Sequence, residues 1–228
     1  MALLTLHDIS KSYRQGELEV HALANINLEI KEGEFAALVG PSGSGKTTLL
    51  NIIGGLDAPT HGTTMLNGVD ITTLKEAELS NFRLFQLGFV FQSYNLVPVL
   101  SALENVELVM VLQGHHKTES QKRAKHYLEL VGLKDVIHRK PSALSGGQQQ
   151  RVAVARALAA GPRLVLADEP TANLDSENAT ALLDIMHTLS HEEKTTFIFS
   201  THDPRVMERA ERIITLEDGK IISDKRHD

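Results

Sequence analysis

The stretch GPSGSGKTTLL, from Gly40 to Leu50, constrains the fold more than any other part of the chain. The apolar run Phe35-Ala36-Ala37-Leu38-Val39 precedes it, and Leu49, Leu50, Ile52 and Ile53 follow, closed by Gly54 and Gly55. A short apolar run ending in glycine predicts a buried strand, and TTLLNIIGG predicts a helix with a glycine stop. The glycines between them let the backbone turn so that successive N–H groups face one anion, and the helix start adds partial positive charge. Gly40, Gly45, Lys46 and Thr47 satisfy the spacing G-x-x-x-x-G-K-[ST]. In that pattern the lysine reaches the β- and γ-phosphates and the Thr hydroxyl ligates Mg²⁺. Ser42, Gly43, Ser44 and Thr48 complete the expected phosphate-binding set. A glycine-rich turn with an accidental lysine is the bland alternative, and the flanking strand and helix weigh against it. The loop is expected to hold a triphosphate.

The rest of the chain is compatible with a sizeable core around this loop. It has 228 residues, 42% hydrophobic and 23% charged, which suits one generous domain or two joined subdomains. A net charge of -6 offers no basic footprint for nucleic acid. With no cysteine, disulfides and thiolate metal sites are excluded. Met1 to Leu6 is followed at once by His7, Asp8 and Lys11, so a secretory leader is not expected. No apolar run approaches the roughly twenty residues that span a bilayer. The expectation is a soluble, cytoplasmic protein that meets a membrane only through another chain.

Leu3 to Ser10 and Asn25 to Ile30 alternate apolar and polar residues, as half-buried strands do, with Ser12 to Gly16 expected as a loop between them. Pro59, Gly62 and Asn67-Gly68 mark turns around a short strand, and Leu87 to Phe91 predicts another. From about Val99 to Ala160 apolar residues recur at helical spacing: Leu103, Val106, Val109, Met110 and Leu112, then Ala124, Leu128 and Val131. Strand texture returns at Leu164–Ala167, Thr196–Phe199 and Ile213–Leu216. Strands alternating with helices predict an α/β protein with a parallel sheet.

Two further pieces carry chemistry. The strand Leu164 to Ala167 ends in Asp168 and Glu169. An acid at a strand tip holds Mg²⁺ together with the loop Ser/Thr, and a neighbouring acid is placed to activate water for attack on the γ-phosphate. Two solvated acids at a strand end are common, and only the phosphate loop tips the balance towards hydrolysis. Leu144-Ser145-Gly146-Gly147-Gln148 opens the helix QQQRVAVARALAA. A serine hydroxyl and bare glycine N–H groups at a helix start form a second anion site. A structural cap would account for Ser145 but not for two glycines, which weaken a first turn.

GPSGSGKT, LSGGQ, VLADEPTANLD and STHD, in that order, resemble the ATP-binding cassette (ABC) ATPases over essentially the whole chain. The resemblance implies a phosphate-loop NTPase core with an N-terminal antiparallel β-subdomain, and a helical signature subdomain. The core is expected at about 1–92 and 160–228, and the helical part at about 93–159. It also implies roles. Tyr13 matches the aromatic that stacks on adenine. Gln92 matches the glutamine that touches Mg²⁺ and the attacking water and moves with the transport partner. Asp175 matches the acid that communicates across the dimer interface, and His202 the switch histidine near the γ-phosphate. Taken singly, each has a bland reading: a surface aromatic, a solvated amide, a helix cap, a structural histidine. In the family, Ser145, Gly146, Gly147 and Gln148 of one copy cover the phosphate loop of another, so two ATP molecules lie in a head-to-tail dimer.

GGLDAPTHG and LGFVFQSYNLVPVLSALENVEL resemble the lipoprotein-release and macrolide-export branch, which serves membrane subunits. Exporters of that branch usually carry the membrane segment on the same chain; a sequence stopping at Asp228 is expected to be the free-standing form, with a separate transmembrane permease as partner. Tyr94, Leu96, Val97, Val99 and Leu100 are candidate partner contacts, or else core of the insert. The leading reading is a transporter ATPase at the inner face of the membrane. A cell-division or envelope-signalling cassette that translocates nothing is the alternative. A soluble translation or repair cassette is disfavoured, because neither a second cassette nor a coiled-coil insert is present.

Overall fold

A computed structural model describes residues 2–16 and 18–226; Met1 of the N-terminal segment and the terminal Asp228 lie outside them. The chain divides into two compact units, Met1–Arg83 with Thr196–Asp228, and Leu84–Thr195.

In the first unit β1 (Ala2–Gln15) and β2 (Leu18–Lys31) pair antiparallel, and β1 also pairs antiparallel with β4 (His61–Leu66), which carries β5 (Val69–Asp70). Alternation in NINLEI becomes the buried stripe Ile26, Leu28 and Ile30. The expected loop from Ser12 to Gly16 is instead strand as far as Gln15, with Ser12 opposite His21 and Tyr13 opposite Val20. Register shifts along the hairpin blur the alternation of period two. Asn67 and Gly68 both have positive φ, 49° and 77°, and join β4 to β5 in the tight hairpin their pairing predicts. Gly62 is not a turn residue: it lies within β4, where a Cβ would come within 2.5 Å of the His7 and Asp8 carbonyl oxygens.

The second sheet of this unit is built on β3 (Phe35–Val39), which runs parallel to both β8 (Thr196–Thr201) and β9 (Arg212–Glu217). β10 (Lys220–Arg226) closes the edge antiparallel to β9. Every residue of β3 and β8 is buried, as expected for parallel strands. Phe35, Phe197 and Phe199 form an aromatic cluster, with centroid separations from 4.5 to 5.6 Å. Helix α1 (Lys46–Ile53) leaves β3 through the glycine loop, is capped by Gly54, and buries Leu49, Leu50, Ile52 and Ile53. Helix α2 (Glu76–Gln86) follows β5, and the short α7 (Pro204–Arg209) connects β8 to β9.

In the second unit β6 (Leu87–Val90) and β7 (Leu164–Asp168) pair in parallel. Helices α3 (Ala102–Leu112), α4 (Lys117–Leu130) and α5 (Gly146–Ala159) pack on one another, and α5 also contacts β6 and α6 (Ser176–Glu193). The alanines of α5 let it sit at this crossroads: Val152 to Ala155 and Ala157 to Ala159 are buried. The stretch expected as helical insert, about 93–159, lies inside this unit. The unit also includes β6, β7 and α6: α5 packs against β6 and α6, and β7 pairs with β6.

The helical spacing read in α3 is partly wrong in phase. Leu103, Val106 and Met110 are buried, but Leu112 is 63% exposed and Val109 only half-buried, while Asn105 and Glu107 turn inward. Asn105 has a reason to be there. Its Nδ2 donates to the carbonyls of Val97, Leu100 and Ser101, and its Oδ1 accepts from the Val97 N–H at 2.8 Å. It thereby satisfies the backbone of a loop that has no ladder of its own. Burial pushes the Glu107 carboxyl above its ordinary range.

Candidate active site

Strand register places the first set of site residues. Val39 at the end of β3 pairs with Thr201 on β8 and Thr215 on β9. Gly40 and His202 are thus the next residues off neighbouring parallel strands, at the carboxyl edge where α/β sheets bind ligands. His202 is exposed there. Gly40 (φ 152°) passes so close to β9 that a Cβ would sit 2.0 Å from the Leu216 carbonyl oxygen. The loop is braced from outside as well: the Gly219 N–H donates to the Ser44 carbonyl at 3.1 Å, and the Gly219 carbonyl accepts from Ala24 on β2. The β9–β10 turn and β2 therefore shape the loop, which no local sequence pattern indicated.

Inside the loop, Lys46 is 9% exposed and its ammonium donates to the carbonyls of Gly40 and Pro41, each at 2.8 Å. Ser44 is 2% exposed, and its Oγ has no hydrogen-bond partner among the described residues. A buried hydroxyl left unpaired costs about 1–3 kcal/mol. An unpaired buried hydroxyl, a lysine ammonium and the N-terminus of α1 suit a polyphosphate. Ser42, Gly43 and Thr47 are exposed and Thr48 half-buried at the helix start.

Tyr13 is 37% exposed. Its hydroxyl donates to Asp57 at 2.7 Å, and Lys11 both pairs with Asp57 at 2.6 Å and stands 4.8 Å over the Tyr13 ring. Burial and the Asp57 bond raise the phenol's pKa, while a bond to Thr48 on α1 opposes them, so the ring lies beside the helix that carries the loop. Lys11 and Asp57 were missed in the sequence, where nothing links positions so far apart.

The second unit holds the acids. Val90 pairs with Ala167, so Gln92 and the Asp168–Glu169 pair follow neighbouring strand tips. Asp168 and Glu169 are half-buried, and Gln92 is exposed, its carbonyl accepting from Asn173 Nδ2 at 2.8 Å. Glu169 has φ 45°, a left-handed conformation that a side-chain-bearing residue adopts at a cost of about 1–3 kcal/mol. Such outliers cluster where a side chain must be aimed. Beyond Gln92, Tyr94 and Asn95 are left-handed too (φ 62° and 48°), and Arg156 on α5 donates to both their carbonyls, at 3.0 and 2.6 Å.

Ser145 caps α5 in a reciprocal box: its Oγ accepts from the Gln148 N–H at 3.3 Å, and Gln148 Oε1 accepts from the Ser145 N–H at 3.0 Å. The two glycines have a packing cause that no local sequence pattern shows. A Cβ on Gly146 would meet the Tyr94 hydroxyl at 2.8 Å, and one on Gly147 would meet Asn178 at 3.2 Å. Asp175 caps α6, accepting from the Asn178 N–H and Nδ2, and these bonds hold its carboxyl below the usual range. Asn178 Oδ1 in turn accepts from Arg151 at 3.1 Å. One asparagine therefore ties the start of α6 to the signature helix.

A phosphate loop at the edge of parallel strands, an acid pair at a strand tip and a glycine helix start capped by serine together define an ATP-binding cassette. The chain matches the family model described as ABC transporter over residues 23–172, and it belongs to that family. It is the ATP-binding, ATP-hydrolysing subunit of an ABC transporter. It is 50% identical to the ABC transporter ATP-binding protein YvrO of Bacillus subtilis, covering 99% of this chain and 98% of that one. It is 47% identical to the macrolide export ATP-binding/permease protein MacB of Brucella melitensis over 97% of this chain but only 34% of MacB. The cassette MJ0796 of Methanocaldococcus jannaschii, 44% identical, was solved as a dimer in a post-hydrolysis state bound to ADP and Pi. It superposes with a TM-score of 0.92 over 98% of both chains.

Proposed function

We propose that this ATPase works as a head-to-tail pair that drives a separate membrane subunit. The observation that carries the reading is that phosphate recognition is built twice. One set of donors surrounds the buried Ser44 hydroxyl and Lys46, and another opens α5 at Ser145, Gly146 and Gly147. Two such surfaces serve two copies when each signature closes over its partner's nucleotide. The dimer of the MJ0796 cassette supports this.

In this reading Tyr13 stacks on adenine, and the loop from Gly40 to Thr48 binds the phosphates. Thr47, Asp168 and Gln92 offer the hard oxygen ligands that Mg²⁺ prefers, and the ion would offset phosphate charge. Glu169 accepts the proton of a water whose oxygen bonds to the γ-phosphorus, while the bond to the β–γ bridging oxygen breaks and ADP leaves. His202 contacts the γ-phosphate, and Asp175 signals across the interface. Among the described residues no helix is long and apolar enough to cross a membrane. We place the membrane part on a partner permease, with the cassette at the inner face; the kinship with YvrO, an ABC transporter ATP-binding protein of which this chain covers 98%, supports this. The kinship with MacB supports an export or extraction role, although the chain spans about a third of MacB.

Light scattering tests the pair. Glu169→Gln should bind Mg·ATP without hydrolysing it and run as a dimer with ATP, but as a monomer without nucleotide. Adding Ser145→Arg should abolish the dimer and leave ATP binding by each monomer intact. Normal hydrolysis by Glu169→Gln removes that residue from the mechanism; a dimer that survives Ser145→Arg means that the signature does not face the nucleotide.

A further inference from the structure

Helix α6 carries a feature that ATP chemistry does not use. His187 and His191 stand one turn apart, with their Nε2 atoms 3.1 Å from each other. The rings are steeply inclined, at 72°, with centroids 4.4 Å apart. His187 is half-buried, beside the buried face formed by Leu183, Met186 and Ser190, while His191 is exposed, so solvent reaches the pair from one side. Two imidazole nitrogens held at about 2.0–2.1 Å from a single ion lie about 2.9 Å apart at a right angle and about 3.3 Å apart at the tetrahedral angle. The observed separation falls between those values.

We propose that His187 and His191 form a two-histidine site for a borderline transition-metal ion such as Zn²⁺ or Ni²⁺. Imidazole is a favoured ligand for these ions, whereas Mg²⁺ and Ca²⁺ prefer oxygen. The present contact between the rings needs one nitrogen to donate and the other to accept. Metal entry requires both Nε2 lone pairs, so the shared proton moves to Nδ1 or is released. The site lies in the last two turns of α6, where the helix C-terminus favours positive charge. Asp184, three residues before His187, lies on the same stripe and adds negative charge. A bound ion would cross-link consecutive turns and hold the end of α6 against fraying.

The test uses the full chain, stripped of metal with chelator and free of nucleotide, titrated calorimetrically with ZnCl₂ and with NiCl₂. Wild type should show one saturable site that His187→Gln and His191→Gln each weaken at least tenfold, with circular dichroism unchanged. Zinc should also raise the melting temperature of wild type but not of either variant. MgCl₂ should give no heat at the site. The chain contains 11 histidines, so the double variant sets the background from the others. Wild-type binding no tighter than that of the double variant, or single variants that bind as wild type does, would overturn the assignment.

Discussion

Lys46 is the residue at which the local geometry and the chemistry can be separated most cleanly. Its ammonium bonds the Gly40 and Pro41 carbonyls, so it is held within the loop by contacts that a phosphate can replace. A charge-assisted hydrogen bond contributes about 1.5–3 kcal/mol. Losing this cation should therefore weaken ATP binding by about ten- to a hundredfold. We expect Lys46→Ala to show that loss in a titration with a fluorescent ATP analogue, with its circular dichroism retained. Wild-type affinity in the variant would remove Lys46 from the site. Gly40 answers to a different constraint: the Leu216 carbonyl occupies the place of its Cβ, so its identity follows from packing.

At the scale of elements, Arg212 shows how β9 and β10 are joined beyond their ladder. It is 7% exposed, and its guanidinium forks onto Asp224 at 2.7 and 2.8 Å while reaching Glu34 and the Glu29 carbonyl. Arg226 bonds the other oxygen of Glu34 at 2.6 Å. Arg212 holds the Asp224 carboxyl below its ordinary range against the opposing effect of burial. A carboxylate depressed in the folded state stabilises fully above its unfolded pKa of about 3.9, and that contribution fades as the pH falls through the folded value. In urea titrations Asp224→Asn should be less stable than wild type at neutral pH, and the two should converge as the pH falls through the depressed folded pKa of Asp224. A gap that stays constant with pH would assign the difference to packing instead of charge.

Across the whole molecule, the question is how ATP use reaches a partner. Among the candidate contact residues after Gln92, Val99 is 69% exposed, whereas Leu96 and Val97 are half-buried and the Val97 backbone is held by Asn105. A charge at Val99 should leave the fold and basal hydrolysis intact and abolish stimulation by the proposed membrane subunit, because burying a lone charge in an apolar contact is costly. Stimulation equal to wild type in reconstituted Val99→Glu complexes would move the docking surface elsewhere. Loss of basal activity would show that Val99 supports the cassette itself and not a partner contact.

The sequence by itself determined the phosphate loop, the acid pair, the signature helix and the strands that carry them. Each is a short run whose spacing is its chemistry: Gly40 to Thr47 turns and donates within eight consecutive positions, and Asp168 and Glu169 are neighbours at a strand tip. What only the tertiary structure decided concerns pairs far apart along the chain. Tyr13 meets Asp57, Gly146 makes room for Tyr94, Asn105 takes up a loop's backbone, and the β9–β10 turn braces Ser44. No local period encodes such partners. The same amide or glycine suits a surface, a cap or a core, and the environment that arrives on folding selects among them. Val109 and Leu112 obeyed helical spacing and still missed the core, because the buried face of α3 is set by which neighbours pack on it.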